Sequence, residues 1–417
     1  MNHSSRQLLL IFFSTALLLG CSGDDESGGT TPTVTPRHDP VTYELTAQPY
    51  TALQWVWEPL APSAEIVAAI ENETLKVTDH EAFGPSGLGI KLADGRPWID
   101  HVELAPDFEE GLEGERRSVA YIWQSADPQL IDEESPIRFE AFEPLYRPQG
   151  HLTTQVFEAH VRSARRISEA SGRPFDFAVL AGDLTDGSQL NELKWLITSL
   201  AGGTIDPDSG RDDDPIEGPG NDYNDPFTAI GLDTPWYATI GNHETLYNGG
   251  FGRISDELRE AAAGTEVYNF PVIPNGFCDG ATKNAEVLTE GPTPADEERV
   301  PQRLEEVLEL LHAAPGEPAG HGLDGTEIAK GIGYFSVKPI PDRPLRLISI
   351  NSVNSSPANI AVGAFGWMEQ PQFTWLKGEL AAAEANHELV IILSHHRSGD
   401  FSDSSPIRGE TLAATLG

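Results

Sequence analysis

Apolar residues along this chain fall into short runs separated by Gly, Pro and Asp, and three of those runs have the length of buried strands: 177–180, 236–240 and 389–393. A fourth run, 119–125, precedes a segment in which Val156, Phe157, His160, Val161, Ala164 and Ile167 recur at helical spacing, which predicts a helix over 153–171. His160 falls on that apolar face and reads as a core histidine. Helices are also predicted over 190–200, 297–313 and 371–385, the last carrying Phe373, Trp375, Leu376 and Leu380, and strands over 332–338 and 345–351. Strands alternating with helices define an α/β body over 118–417. Upstream, over 41–117, short alternating runs such as Thr42-Tyr43-Glu44-Leu45, broken by Gly and Pro, predict a small, mainly β N-terminal region in which Trp55, Trp57 and Trp98 serve packing. Two insertions interrupt the body. The segment 202–234 is crowded with Asp, Gly, Pro and Asn, and its run 206–212 reads as a solvated loop; the segment 245–330 is long enough to shape a lid or a specificity wall.

The chemistry sits where the apolar runs give out. Gly182-Asp183-Leu184-Thr185-Asp186 follows the first, Gly241-Asn242-His243-Glu244 the second and Ser394-His395-His396 the third. Side chains at the carboxyl ends of strands project into the crevice where open α/β sheets bind ligands. Asp, Asn and His together form a mixed oxygen and nitrogen donor set that suits Mn, Fe or Zn, whereas a Mg or Ca cage would use oxygens alone. A carboxylate can bridge two cations about 3.5 to 4 Å apart, which then clamp the attacking and leaving oxygens of a phosphoryl transfer.

With these three runs in this order, each after a strand, the chain resembles the calcineurin-like metallophosphoesterases from about residue 118 onward. The resemblance implies a four-layer αββα sandwich and a dinuclear site, with hydroxide between two metal ions, that hydrolyses a phosphomonoester or phosphodiester. It implies Asp183 as the bridging carboxylate, Asn242 and His395 as ligands of the second metal, His243 as the general acid and Asp186 as the group that orients His243. The opening motif of that family, Asp-x-His, has its best match in Asp127-Pro128-Gln129 after the 119–125 strand. Asp127 fits as a ligand, the alternative being that it caps the turn before Pro128. Gln129 departs from the pattern: an amide oxygen is neutral and a poorer donor than imidazole, so the first metal would be held more weakly or be a harder ion. The closing Gly-His-x-His motif has no match after His396, which makes the sandwich C-terminally incomplete, with an open edge on its second sheet and catalysis in doubt. His312, His321 and His387 read as exposed or locally bonded histidines rather than replacements. The rival reading is a catalytically impaired phosphoesterase-fold lipoprotein that acts as a binding protein.

Residues 1–21 pattern as a lipoprotein export signal: Arg6, an apolar core over 8–19, then Leu18-Leu19-Gly20-Cys21, which resembles a lipobox and makes Cys21 the expected lipidation site. The apolar run falls short of the roughly 20 residues of a membrane-spanning helix. Residues 22–40, rich in Gly, Ser, Thr, Asp and Pro, read as a flexible tether. Ser22 after the cysteine favours the outer membrane of the cell envelope. The other cysteine, Cys278, then has no intramolecular partner, and no disulfide framework is expected. With 27 basic against 65 acidic side chains and a net charge of −38, nucleic acid is an improbable partner and a small phosphoester is the expected substrate, although solubility or a saline habitat accounts for the charge equally well. The sequence is silent on oligomeric state.

Overall fold

The computed structural model describes residues 9–11, 55–59, 63–72, 74–75, 90–94, 118–138, 149–211, 214, 216–220, 222–250, 254–269, 286–288, 293–354 and 365–416. Cys21, the 22–40 tether, Trp98 and Cys278 lie outside them. The protein is mixed α/β. Its first sheet has three parallel strands in the order Ile122–Ser125, Phe177–Leu180, Trp236–Ala238. Parallel neighbours need a crossover between them, and helices supply it. Thr153–Ser171 connects the first strand to the second, and Leu190–Ala201 lies between the second and the third. The first of these helices buries Phe157, Val161 and Ala164 and stops at Gly172, whose φ of 62° provides the left-handed C-terminal cap. His160 departs from expectation: it is exposed, with its ring 4.8 Å from that of Trp123. The helix turns its apolar stripe a little away from this position, and Ile167 is exposed with it.

The second sheet runs Leu389–Leu393, Leu345–Ser349, Phe335–Val337, with the first two strands parallel and the third antiparallel. Alternate residues of its two parallel strands enter different cores, as the two-residue period of a strand requires. Leu345, Leu347, Ile391 and Leu393 join Phe177, Ala178, Tyr237 and Phe335 in the core shared with the first sheet. Ile348, Val390 and Ile392 face Phe373 and Leu376 of the Gln370–Ala385 helix. The edge of this sheet that was expected to be open carries Leu9–Ile11, inside the expected export signal, paired in parallel with Leu389–Leu393. Upstream of 118, Trp55–Pro59 pairs antiparallel with Ile90–Asp94, and the helix Ala64–Glu71 lies between them in sequence. Among the described residues no helix is long and apolar enough to cross a membrane.

Two expectations for the insertions need correction. The predicted 297–313 helix is broken: Glu297–Arg299 forms one 3-10 turn, Val300 is extended before Pro301, and the helix proper is Leu304–Ala313. A residue preceding proline is pushed out of the helical region by the ring. The 206–212 run is not wholly solvated, and strands flank it. Gly203–Ile205 and Phe227–Ala229 form a hairpin pair, and Ser209 is buried with its hydroxyl 2.8 Å from both oxygens of Asp132. Arg299, also fully buried, donates to Asp132 Oδ2 at 3.2 Å, to the Ser209 carbonyl at 2.8 Å and to the Pro294 carbonyl at 2.7 Å. Asn191 adds a 2.7 Å bond to Asp132 Oδ2. This buried cluster pins both insertions to the turn that follows the first strand. Arg299→Met should destabilise the protein by about 3–5 kcal/mol in urea unfolding, because it strands the Asp132 carboxylate without its counter-charge; a loss below about 1 kcal/mol would mean that the cluster carries little of the fold.

Candidate metal centre

Strand register decides where the polar residues meet. Ser125 pairs with Leu180 and Leu180 with Ala238, so the first sheet ends level, and Asp127, Asp183 and Asn242 follow within a few residues at one edge. The turns are then zipped together: Asp127 N–H bonds the Gly182 carbonyl at 3.1 Å, Gln129 N–H the Asp183 carbonyl at 3.1 Å and Leu130 N–H the Leu184 carbonyl at 3.2 Å. The second sheet reaches the same edge. Ile350 N–H bonds the Leu393 carbonyl at 2.9 Å, and the Thr239 hydroxyl bonds the Ile350 carbonyl at 2.9 Å, which places His395 over Gly182. Approach is close enough that a Cβ on Gly182 would stand 2.9 Å from His395 Cβ, and one on Gly241 would stand 2.1 Å from Asp183 Oδ1. Only glycine fits either position.

Every expected site residue among those described comes to this edge. Asp183, Asp186, Asn242 and His243 are buried, while Asp127, Gln129 and His395 are half-buried and form the mouth. Asp183 Oδ1 accepts the His243 backbone N–H at 3.0 Å. Its Oδ2 accepts from Gln129 Nε2 at 3.2 Å and lies 3.4 Å from His395 Nε2 and 3.7 Å from His243 Nε2. One donor atom from each of Asp127, Asp183 and His395 falls within 4.8 Å of the other two, a spacing that one cation can span. Asp186 meets His243 chiefly through its backbone: the carbonyl is 2.7 Å from Nδ1, whereas the nearer carboxylate oxygen is 3.5 Å away. His312, His321 and His387 stand apart from this group. His321 is buried against the carbonyls of Trp236 and Ala314, His312 bonds the Leu323 carbonyl, and His387 is exposed.

The two ring nitrogens of His395 both face acceptors, Nδ1 the Ala181 carbonyl at 2.9 Å and Nε2 the Asn242 Oδ1 at 2.9 Å. Such a ring carries both protons. Burial opposes the charge, but the bond to Asp183 and the charges of Asp183 and Asp127 more than offset it and hold the imidazolium up to about 9. For Asp183 burial favours the neutral acid, yet His243 and His395 keep it well below the usual carboxylate range. Asp127 is raised by burial first, with Asp183 adding to the effect. The Nε2 proton of His395 therefore stands between the Asp183 carboxylate and the Asn242 amide oxygen. A divalent cation put in its place meets an imidazole nitrogen, a carboxylate oxygen and an amide oxygen, a donor set that fits a transition metal.

Residues that sequence reasoning passed over hold this arrangement. Glu244, fully buried, accepts Leu184 N–H at 2.7 Å and Thr185 N–H at 3.2 Å on one oxygen and Gly241 N–H at 2.8 Å on the other. It lies inside the Gly-Asn-His-Glu run, so the signal was present, but Leu184 and Thr185 are about 60 residues away in sequence and only the fold supplies them. Burial and the Asp183 charge push Glu244 up to about 7. Gly249 turns its carbonyl to Asn242 Nδ2 at 2.7 Å and so aims the amide oxygen at His395; with φ of 69°, its Cβ would lie 2.2 Å from His243 Nε2. A lone glycine in a loop gave no such signal. His396 is buried, pairs through Nδ1 with the Ser352 hydroxyl at 3.0 Å and stands edge-on to the His395 ring, with centroids 4.7 Å apart. No family model and no curated protein matches this sequence.

Two outcomes follow from this geometry. Glu244→Gln should cost about 1–3 kcal/mol in chemical denaturation, since a carboxamide sets an N–H donor against at least one backbone N–H. For His395, the folded value near 9 lies above the unfolded one, so in the metal-free protein its contribution to stability is full below about pH 6.5 and is lost as pH rises through 9. A cation must displace that proton. Its affinity, followed by calorimetric titration between pH 6.5 and 8.5, should therefore rise about tenfold per pH unit; a flat profile would remove His395 from the ligand set.

Proposed function

We propose that this chain is a metal-dependent phosphoester hydrolase of the calcineurin-like kind, with its two sheets and covering helices forming that family's four-layer αββα sandwich. The observation that carries the reading is the convergence of Asp127, Asp183 and His395 within 4.8 Å at the carboxyl ends of strands from both sheets, with Asn242 and His243 beside them. Asp127, Gln129, Asp183, Asn242 and His395 would hold two ions of the Mn, Fe or Zn type. Those ions supply the positive charge that offsets the phosphoryl oxygens and acidify a water for attack. The rest falls to the protein. Asp183 presents one carboxylate oxygen toward both imidazoles while its other oxygen is fixed by the His243 N–H. The Asp186 carbonyl accepts the His243 Nδ1 proton, which leaves Nε2 as the ring atom that exchanges a proton with the departing oxygen. Gly249 packs along that edge of the ring, where a Cβ would lie 2.2 Å from Nε2.

A net charge of −38 favours a small, weakly charged ester over a polyanion such as nucleic acid. On the same reading the Cys21 lipobox would hold the mature protein to the cell envelope by an N-terminal lipid, with the outer membrane favoured, and cleavage before Cys21 would take the Leu9–Ile11 strand from the edge of the second sheet. One observation favours the rival reading of a silent binding protein: Gln129 spends its amide on Asp183 Oδ2, an oxygen that a cation would need. Metal content of the purified protein separates the two, at about two transition-metal ions per chain for the enzyme and none for the silent scaffold. His243→Ala should lower turnover of an alkyl phosphoester by about a hundredfold or more while nitrophenyl phosphate, whose leaving group scarcely needs a proton, loses under about tenfold. Equal losses on both substrates would strip His243 of the acid role.

A further inference from the structure

We infer that Asn351 is a further substrate-binding residue of this site: its side-chain amide donates a hydrogen bond to a phosphoryl oxygen of the ester. The inference rests on the phosphoester-hydrolase reading above. Asn351 follows the Leu345–Ser349 strand, which pairs in parallel with Leu389–Leu393 and sets Ser349 abreast of Leu393. The two segments stay together past the strand ends. Ile350 N–H bonds the Leu393 carbonyl at 2.9 Å, and Ser352 Oγ lies 3.0 Å from both the backbone nitrogen and Nδ1 of His396. Asn351 is therefore carried to the level of His395. Ile348 and Ile350 belong to the core under the Gln370–Ala385 helix, whereas Leu347 and Val353 belong to the core between the sheets, so the alternation puts Asn351 on the side of the first sheet. There a Cβ on Gly333 would stand 2.9 Å from Ile240 Cγ1 and 3.3 Å from Asn351 Nδ2, which sets the amide near the residue that leads into Gly241 and Asn242.

Every other polar group of Asn351 is engaged within the protein. Its N–H donates to Gln372 Oε1 at 2.9 Å, its carbonyl accepts Gln372 Nε2 at 2.7 Å, and its Oδ1 accepts the Val353 N–H at 3.0 Å. These bonds fix the backbone and decide which way the amide is turned. Nδ2 is left facing away from Val353, and among the described residues no acceptor meets it, although Asn351 is only 8% exposed. A donor this deeply set is costly to leave unmatched, and a ligand oxygen relieves that cost. Other donors at the mouth are already engaged: Gln129 Nε2 with Asp183 Oδ2, His395 with the Ala181 carbonyl and Asn242 Oδ1, and Asn242 Nδ2 with the Gly249 carbonyl. Asp127 and Asp183 bring negative oxygens to the same place, and these repel the oxygens of a phosphoryl group. A neutral amide N–H is a donor those oxygens can use, and a bond to a charged oxygen is about twice as strong as one between neutral groups.

The test uses the full chain loaded with Mn2+ and titrates it with inorganic phosphate by calorimetry, with metal content and the urea midpoint measured on the same samples. Asn351→Asp keeps the oxygen that holds the Val353 N–H and replaces the donor with a second carboxylate oxygen; it should weaken phosphate by about tenfold or more per metal-loaded chain and leave the midpoint unchanged. Asn351→Ala removes the donor without adding charge and should weaken phosphate by about fivefold or more; the urea midpoint shows whether the variant is folded. Phosphate affinity equal in the unaltered protein and both variants overturns the inference and leaves the metal site standing. A loss in Asn351→Asp with none in Asn351→Ala marks charge repulsion in place of a missing bond, and it overturns the inference as well. An unaltered chain that takes up metal but no phosphate overturns both the inference and the hydrolase reading, and one that takes up no metal overturns the metal-dependent reading itself.

Discussion

Two buried carboxylates, those of Glu244 and Asp183, hold the candidate centre in shape. Glu244 receives backbone N–H groups from Leu184, Thr185 and Gly241, and Asp183 receives that of His243. The turn after the second strand and the turn after the third are therefore each anchored by a side chain from the other. Neither turn can shift without leaving buried donors unmatched, at a cost of about 1–3 kcal/mol per group. From this cross-brace follow the close approaches at Gly182 and Gly241 and the left-handed backbone of Asp183. Asn242 and His243 are then delivered beside Asp183 with little freedom left to them.

Electrostatics give that rigidity a purpose. Asp127, Asp183, Asp186 and Glu244 are drawn together at one sheet edge, and the two imidazoles of His243 and His395 are the positive groups that offset them. The protonated His395 ring occupies the space between the Asp183 carboxylate and the Asn242 amide oxygen, where it does for the metal-free protein what a cation would do more strongly. On the metal-dependent reading, proton release would be the mark of a cation taking the place of that proton.

Beyond the centre, a second polar cluster shows how insertions are recruited without apolar packing alone. Arg299, Ser209, Asn191 and Asp132 are all buried and mutually bonded, and Asp132 lies in the turn that begins with Asp127. Glu192 reaches the same turn, accepting the Asp132 N–H at 3.0 Å while also taking the N–H groups of Gly187 and Gln189 at 2.9 and 3.0 Å. Both insertions and the turn that carries Asp127 are thus one connected network, so a change in either insertion bears on that turn.

Much of the body was legible in the text of the chain. The helix over 153–171 matched its apolar periodicity because it buries one stripe, and the strands at 177–180 and 389–393 matched their continuous apolar runs because both of their faces are covered. The three motif runs identified themselves because a strand that ends in Asp, Asn or His has no packing reason to do so. Less was visible in the insertions: Ser209 and Arg299 look like surface residues in sequence, and only partners some 77 and 167 residues away make them core. His160 was misplaced because a periodicity fixes a face only to within a residue or so. By itself, then, the sequence determined the α/β alternation and which side chains stand at strand ends, since local spacing and residue chemistry decide both. Tertiary structure alone decided that Asp127, Asp183 and His395 share one cation's reach, that Gln129 donates to Asp183, and that Glu244 and Gly249 hold the rest in place. The physical reason is that register and sheet-to-sheet packing, set by contacts distant along the chain, fix distances that no local pattern carries.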